Sequence, residues 1–471
     1  MVEESPVATT ILNDGVIRAF EAGLHGELIR PGDERYEAAR RVWNGSIDRH
    51  PALIARCRED VDVVRCITFA REHDLLVAVR GGGHSVAGTA VCDGGLVIDL
   101  SAMKGMRLDP EGRTARAEPG LTWGEFDDAT QASGLATTGG IVTHTGIAGL
   151  TLGGGIGWLM RKHGLTIDNL LSVDVVTVNG ELLHVSAHEY PDLFWGVRGG
   201  GGNFGIVTSF EYRLHEVGPT VLAGPIFHAM EHAPAVLRFY RDFIASAPEE
   251  LTTIVNLRRA PALPFLPEAI HGMPVIAVTV CYAGPIAEGE QVLRPLRTFG
   301  PPLVDLIAPK PYATLQGLFD ATVPHGWHYY WKSWDLPALS DDVIDVLMAH
   351  ASAATSPLSY CIIFQLGGAV SRVGEDETAY SHRSLGHNVN INAVWTPHDS
   401  APERHIRWAQ DFSSALEPFA PGGVYVNFLG NEGEERVHAA YGPEKYNRLV
   451  ALKNVYDPTN LLRLNQNITP A

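Results

Sequence analysis

The sequence predicts an α+β chain in two parts: a glycine-rich nucleotide-type region, then an antiparallel sheet backed by helices. Three observations predict this. Glycine clusters at Gly81–Gly83, Gly139–Gly140, Gly153–Gly155 with Gly157, and Gly199–Gly202 with Gly205, then thins out. Short β-rich runs lie between the clusters. Beyond about residue 214 the pattern turns to two-residue alternation with amphipathic helices between the runs.

The elements follow in order. DVDVVRCITFAREHD reads as a helix, with Val61, Val64, Ile67 and Ala70 at helical spacing. LLVAVR, GLVIDLS, VDVVTVNG and IVTSFEYRL read as strands bounded by glycine turns. In the second part PVIAVTVCY, YCIIFQL, HNVNINAVW and VYVNF read as strands. VIDVLMAHA and HIRWAQDFSSAL read as helices covering one sheet face. HNVNINAVW sets Val389, Ile391, Ala393 and Trp395 on one face, and Asn388, Asn390 and Asn392 on the other. A face of amides is costly unless it meets solvent or a ligand. Those asparagines and Gln365 are therefore candidate substrate contacts. EKYNRLVALKNVYDPTNLLRLNQNI reads as a helix, a simple turn at Asp457-Pro458 and an extended tail.

Composition narrows the function. The 471 residues suit two or three domains. With 45 % hydrophobic and 19 % charged residues, the chain reads as a soluble globular protein. A net charge of −18 argues against nucleic acid and anionic membranes as partners. The five cysteines are odd in number and fit no metal motif, so free buried thiols in a reducing compartment are expected. MVEESPVATTILNDG lacks a basic n-region and an apolar h-region, and no run approaches a membrane span. The expected location is cytoplasmic. The histidines are scattered in sequence, so no metal site is expected.

GGGNFG at 200–205 matches a dinucleotide fingerprint, but that motif must open a helix and here precedes a strand. The glycine turns are instead read as nests of backbone N–H groups, without helix ends, that bind phosphate oxygens and let a bulky ligand approach. Four such clusters favour a large phosphate-bearing cofactor. His84, directly after three glycines, would then either hydrogen-bond the cofactor or be bonded to it.

These residues resemble the berberine bridge enzyme-like branch of the vanillyl alcohol oxidase flavoproteins. VRGGGHSVAG is similar to the family's first flavin loop, GIAGLTLGGGIGWLMRKHGLTIDNLLSVDVVTVNGE to its second and DLFWGVRGGGGNFGIVTSFEYRLH to its third. YDPTNLLRLNQNI resembles its C-terminal signature. The resemblance implies an α+β, two-domain vanillyl alcohol oxidase-type flavoprotein. Residues 1–213 would be the FAD-binding domain and 214–422 the substrate domain, and 423–471 would return to the FAD domain. It implies FAD bonded to His84, a tether that would raise the flavin potential. The implied FAD-binding set is Arg80, Gly81, Gly82, Gly83, His84, Ser85 and Gly88, then Val142, Thr143, Thr145, Gly146, Gly149, Gly153, Gly155 and Gly157. Gly205, Ile206, Val207, Asn465 and Asn467 complete it.

Three positions depart from the family pattern. Val142 stands where many members carry a second, cysteine tether, which implies attachment through His84 only. Thr145 stands at the oxygen-gating position, where valine or isoleucine is common. Phe428 stands where several members place a tyrosine base; Tyr425, read on a strand, would share a face with Asn427 and not with Phe428. The candidate catalytic residues are therefore His144, Tyr329, Tyr330, Asn390 and Gln365, with His325–Lys332 as a further cluster. Tyr329 and Trp331 share one strand face, Tyr330 and Lys332 the other. The expected function is an FAD-dependent oxidase moving hydride from a small organic molecule, a secondary metabolite, alcohol or amine, with molecular oxygen as acceptor. A monooxygenase, a dehydrogenase and a non-catalytic flavin- or ligand-binding protein are the alternatives.

Overall fold

The computed structural model describes residues 12–471. The reading of the extreme N-terminus falls on residues 1–11, outside the described residues. A four-stranded sheet comes first, in the order Glu27–Ile29, Leu53–Arg56, Leu96–Asp99, Val77–Arg80. Its last three strands are parallel. A five-stranded antiparallel sheet follows, with Ile206–Arg213 at its centre between Thr114–Ala117 and Leu170–Val176.

The helix Asp60–Glu72 packs on the first sheet with Ile67 and Ala70 inward as expected, but with Val63 and Cys66 beside them in place of Val61 and Val64. Val63, Cys66, Ile67 and Ala70 are buried, while Val61 is 45 % exposed. Asp62 is buried as well, its carboxylate accepting the backbone N–H groups of His25 and Arg58. The glycine turns are not all free of helices either, because Gly146 directly precedes the short helix Ile147–Leu152.

The large sheet is antiparallel. Its main path runs Val304–Asp305, Thr220–Ala229, Pro274–Tyr282, Leu251–Arg259, Tyr360–Gln365, His387–Trp395, His328–Leu336. Alternation decides which side each residue joins. Val389, Ile391, Ala393 and Trp395 enter a core made with the helices Ala233–Ile244, Ile286–Thr298, Asp341–Ser352 and Glu403–Leu416. Removing that apolar face from water stabilises the sheet–helix layer by about 25 cal/mol per Å². The opposite face, with Tyr360, Ile362 and Phe364, looks back towards the glycine loops.

VYVNF is not a strand. Val426–Phe428 forms a single 3-10 turn after Gly422-Gly423. Tyr425, Asn427 and Phe428 consequently converge, with the Tyr425 and Phe428 rings 4.8 Å apart, and the strand-face argument separating them fails. Asp457 is also more than a turn residue. Fully buried, it pairs with Lys453 Nζ at 2.8 Å and accepts the N–H groups of Leu461 and Leu462. The tail then lays Leu461 and Leu462 on the first sheet's core and Ile468 on the second's.

Candidate active site

One cavity of about 340 Å³ runs between the glycine loops and the open face of the large sheet. The first loop is held at its root. Arg80 ends a parallel strand beside Asp99 and donates to it at 2.7 Å, and to the Ala39 carbonyl at 2.6 Å. Burial pushes the Asp99 carboxyl up, but Arg80 and the hydrogen bonds from Ser101 together outweigh it and leave the group below its ordinary value. Arg80 is thus a strut behind the loop and does not line the cavity.

Gly81, Gly82, Gly83, His84 and Ser85 do line it. Gly82 meets Gly146 of the second loop backbone to backbone. A Cβ on Gly82 would sit 2.4 Å from the Gly146 nitrogen, so neither position admits a side chain. Gly83 has φ +66°, in the region that favours glycine. Gly88 has φ +72° but packs against Ile47, away from the cavity.

In the second loop Val142, Thr145, Gly146, Gly149 and Gly153 line the cavity. Thr143 does not; its N–H donates to Asp320 at 2.9 Å and anchors the loop. Gly155 and Gly157 pack against Thr166 and the Gly139 carbonyl and are structural. In the third loop Gly205, Ile206 and Val207 are at the wall as expected, joined by Gly201 and Gly202. From the tail Asn465 lines the cavity, while Asn467 only donates to Thr469. Asn203, hidden inside GGGNFG, sews tail to loop: its side chain accepts from the Ile468 N–H and donates to the Gln466 carbonyl.

His84 and His144 form one unit. His84 Nε2 and His144 Nδ1 lie 2.7 Å apart, one donating and the other accepting. Trp43 stacks on His84 at 4.5 Å, and His325 approaches edge-on at 5.8 Å. Burial drives the His84 pKa well down, and both neighbouring histidines add to it. Burial also lowers His144 and His325. The rings are therefore neutral near neutral pH. His144 is not at the cavity wall; it sits behind His84. The expectation of scattered histidines fails here, since ligand atoms of all three lie within 4.8 Å of one another.

The sheet side of the cavity differs from expectation. Asn390 lines it, as does Asn392. Asn388 does not; it donates to Ser333 and Asp335. Gln365 is on the other face, accepting from Thr253 at 2.7 Å. Tyr330 also faces away, towards the helix-side core. Tyr329 shares the cavity face of its strand but lies beneath Trp43, its hydroxyl donating to the Pro324 carbonyl. Trp331 lines the cavity and Lys332 turns to Glu432. Sequence reasoning missed Trp43, Tyr360, Ile362 and Phe364 at the wall.

The arrangement suits a large cofactor. One end is bare backbone; the other is aromatic, and among the described residues no Asp, Glu, Lys or Arg lines either. Asn465 Oδ1, Asn392 Oδ1 and Trp331 Nε1 are buried there without protein partners. Residues 51–186 match the FAD binding domain model, and residues 424–469 match the berberine and berberine-like model. The (R)-6-hydroxynicotine oxidase of Paenarthrobacter nicotinovorans is 31 % identical, covering 96 % of this chain and 98 % of its own length. An FAD-linked oxidoreductase of Dictyostelium discoideum is 33 % identical over 98 % of both chains.

The chain belongs to the berberine bridge enzyme-like FAD-linked oxidoreductases.

It shares their fold. The crystal structure of 6-hydroxy-D-nicotine oxidase from Arthrobacter nicotinovorans matches with a TM-score of 0.86 at 29 % identity, covering 95 % of this chain and 98 % of that one. A chitooligosaccharide oxidase matches at 0.85 and 23 % identity, covering 97 % of this chain and all of that one. As in any FAD-dependent oxidoreductase, the protein must position the cofactor against the substrate. The glycine loops line the cavity with backbone that carries few side chains. Gly149 and Gly202 face open space where other residues would intrude. Among the described residues no helix is long and apolar enough to cross a membrane.

Proposed function

We propose that this enzyme is an oxidase that carries FAD on His84 alone and takes hydride from a small organic substrate, with oxygen as acceptor. The observation that carries the reading is the His84 ring. It stands at the cavity wall with Nε2 engaged by His144, which leaves Nδ1 for attachment. Single attachment is supported by Val142 at the wall and by the cysteines: none lines the cavity, and all five are buried elsewhere. The chain divides, on this reading, into an FAD-binding domain of residues 1–213, a substrate domain of 214–422 and a returning segment of 423–471.

When bound, FAD supplies a two-electron acceptor that oxygen can reoxidise. The chain's own residues do the rest. Asn390 and Asn392 hold polar groups of the substrate. Trp331, Tyr360, Phe364 and Phe428 wall it from water. Tyr425 is not the base. Its hydroxyl accepts from the Gly155 N–H at 2.9 Å and from Asn427 at 2.7 Å. Burial pushes its pKa up to about 12, so it stays protonated and fixes the turn carrying Phe428. Thr145, Gly146 and Gly149 would lie against the flavin.

Substrates are screened without oxygen for bleaching of the flavin, and oxygen is then admitted. Peroxide formed in step with oxygen consumed supports the oxidase. Oxygen consumed into product without peroxide makes the enzyme a monooxygenase. A flavin that no bound compound bleaches makes the protein a binder.

A further inference from the structure

A row of side chains crosses four strands on the open face of the large sheet. Trp331 pairs with Asn392, and Asn392 pairs with Tyr360. One step beyond the Leu257–Cys361 pair, Arg258 comes next to Tyr360, with its guanidinium 5.0 Å from the centre of that ring. The first three residues line the main cavity. Arg258 lies just past them, in a separate and mostly apolar cleft of about 30 Å³ to which Asn256, Thr279 and Thr322 add polar groups.

Arg258 is half-buried and lacks the company that the buried arginines keep. Arg80 has Asp99, and Arg383 has Asp168 at 2.7 Å. Arg161 has no carboxylate but donates to the carbonyls of Leu251, Leu366 and Ala247. Arg258 makes one hydrogen bond among the described residues, from Nε to the Arg259 carbonyl at 3.2 Å. Burial lowers its pKa, and only Tyr360 acts against that; no carboxylate contributes. In a chain with 54 acidic and 36 basic residues, this half-buried guanidinium keeps its terminal N–H groups clear of any carboxylate among the described residues and free to meet an anion.

We propose that Arg258 anchors a carboxylate of the substrate, so that the enzyme acts on an organic acid whose apolar part lies against Trp331 and Tyr360, with Asn392 between them for a polar group. This rests on reading the main cavity as the substrate site. Adjacent strands are about 4.8 Å apart, so the carboxylate sits about 10 Å from Asn392, two strands away. The cleft has room for a carboxylate but not for a second ring. The planar guanidinium fork suits that group in a bidentate grip.

The test uses holoenzyme and two probes, hydrocinnamate and its neutral amide, with binding followed by calorimetry and by flavin absorbance. Wild type is expected to favour the acid by about tenfold or more, the worth of a charged hydrogen bond. Arg258→Gln removes the preference and Arg258→Lys keeps part of it. Equal binding of acid and amide by wild type overturns the proposal, and so does a preference that survives in Arg258→Gln. Formate binding as tightly as hydrocinnamate also overturns it, since a free anion would then be the ligand. Should Arg258→Gln fail to fold, phenylglyoxal modification of wild type decides. Hydrocinnamate, and not the amide, must shield Arg258; equal labelling refutes the anchor. Bound flavin is measured on the same samples. Its absence from wild type counts against the cavity reading, whereas intact flavin without acid preference counts against Arg258 alone.

Discussion

Replacing His144 by alanine should slow the joining of flavin to His84 without preventing FAD from binding. For Nδ1 of His84 to present a lone pair, the ring proton must sit on Nε2. Bond formation at Nδ1 would release a C–H proton from the flavin and leave its electron pair there for oxygen to remove, and it would leave a cationic ring unless the Nε2 proton also departs. Burial already disfavours the cation strongly, as the lowered His84 pKa records. His144 Nδ1, 2.7 Å away, is placed to accept the proton. Proton transfer to a positioned group contributes about 10²–10⁴-fold. The lost hydrogen bond itself costs only about 1 kcal/mol of stability. Apoprotein is mixed with FAD, quenched in acid at intervals, and the yellow pellet is quantified. We expect His144→Ala to incorporate at least about a hundredfold more slowly, with partial rescue by added imidazole. In wild type the rate should fall as pH drops through the His144 pKa, which burial and His325 place below the ordinary histidine value. Incorporation at the wild-type rate in His144→Ala would refute this proton path.

Two further outcomes concern stability. His163 and His215 stack at 3.8 Å, and burial first, then the neighbouring charges, push them down to about 3 and about 4. They are neutral in the fold but take protons near 6.5 when unfolded. Stability is therefore whole above about pH 6.5 and drains as pH falls towards 4. His163→Phe keeps the stack and should flatten that slope in urea titrations at pH 7 and 5; an unchanged slope contradicts the assignment. Asp127 is fully buried, receives Gln316 at 2.7 Å, and is pushed up to about 7 by burial. Its folded form holds a proton that the unfolded form loses near pH 4, so stability falls as pH rises from about 4 to 7. Asp127→Asn should raise Tm at pH 8 by more than at pH 5, and an equal change at both pH values would rule this out.

Local pattern made much of the fold legible. The period of two in HNVNINAVW placed Val389 and Ile391 inward and Asn390 and Asn392 towards the cavity, because each strand is half covered by helices. The same parity in YCIIFQL puts Tyr360, Ile362 and Phe364 on the cavity side and Gln365 opposite, so Gln365 was recoverable from its own strand. Other features had no local signal. His84, His144 and His325 meet only because distant loops converge. Trp43 reaches His84 from a loop with no motif. Arg258 joins Tyr360 and Asn392 through strand order, which periodicity does not encode. VYVNF misled because a short apolar run after two glycines is compatible with a strand or a tight turn, and here the Tyr425 hydroxyl's two hydrogen bonds favour the turn.

The central claim is that one residue, His84, carries the flavin. Wild type and His84→Ala are each precipitated with acid, and the colour of pellet and supernatant is compared. Yellow kept in the wild-type pellet and released from His84→Ala is the predicted result. Yellow released from wild type, or retained by His84→Ala, would contradict it.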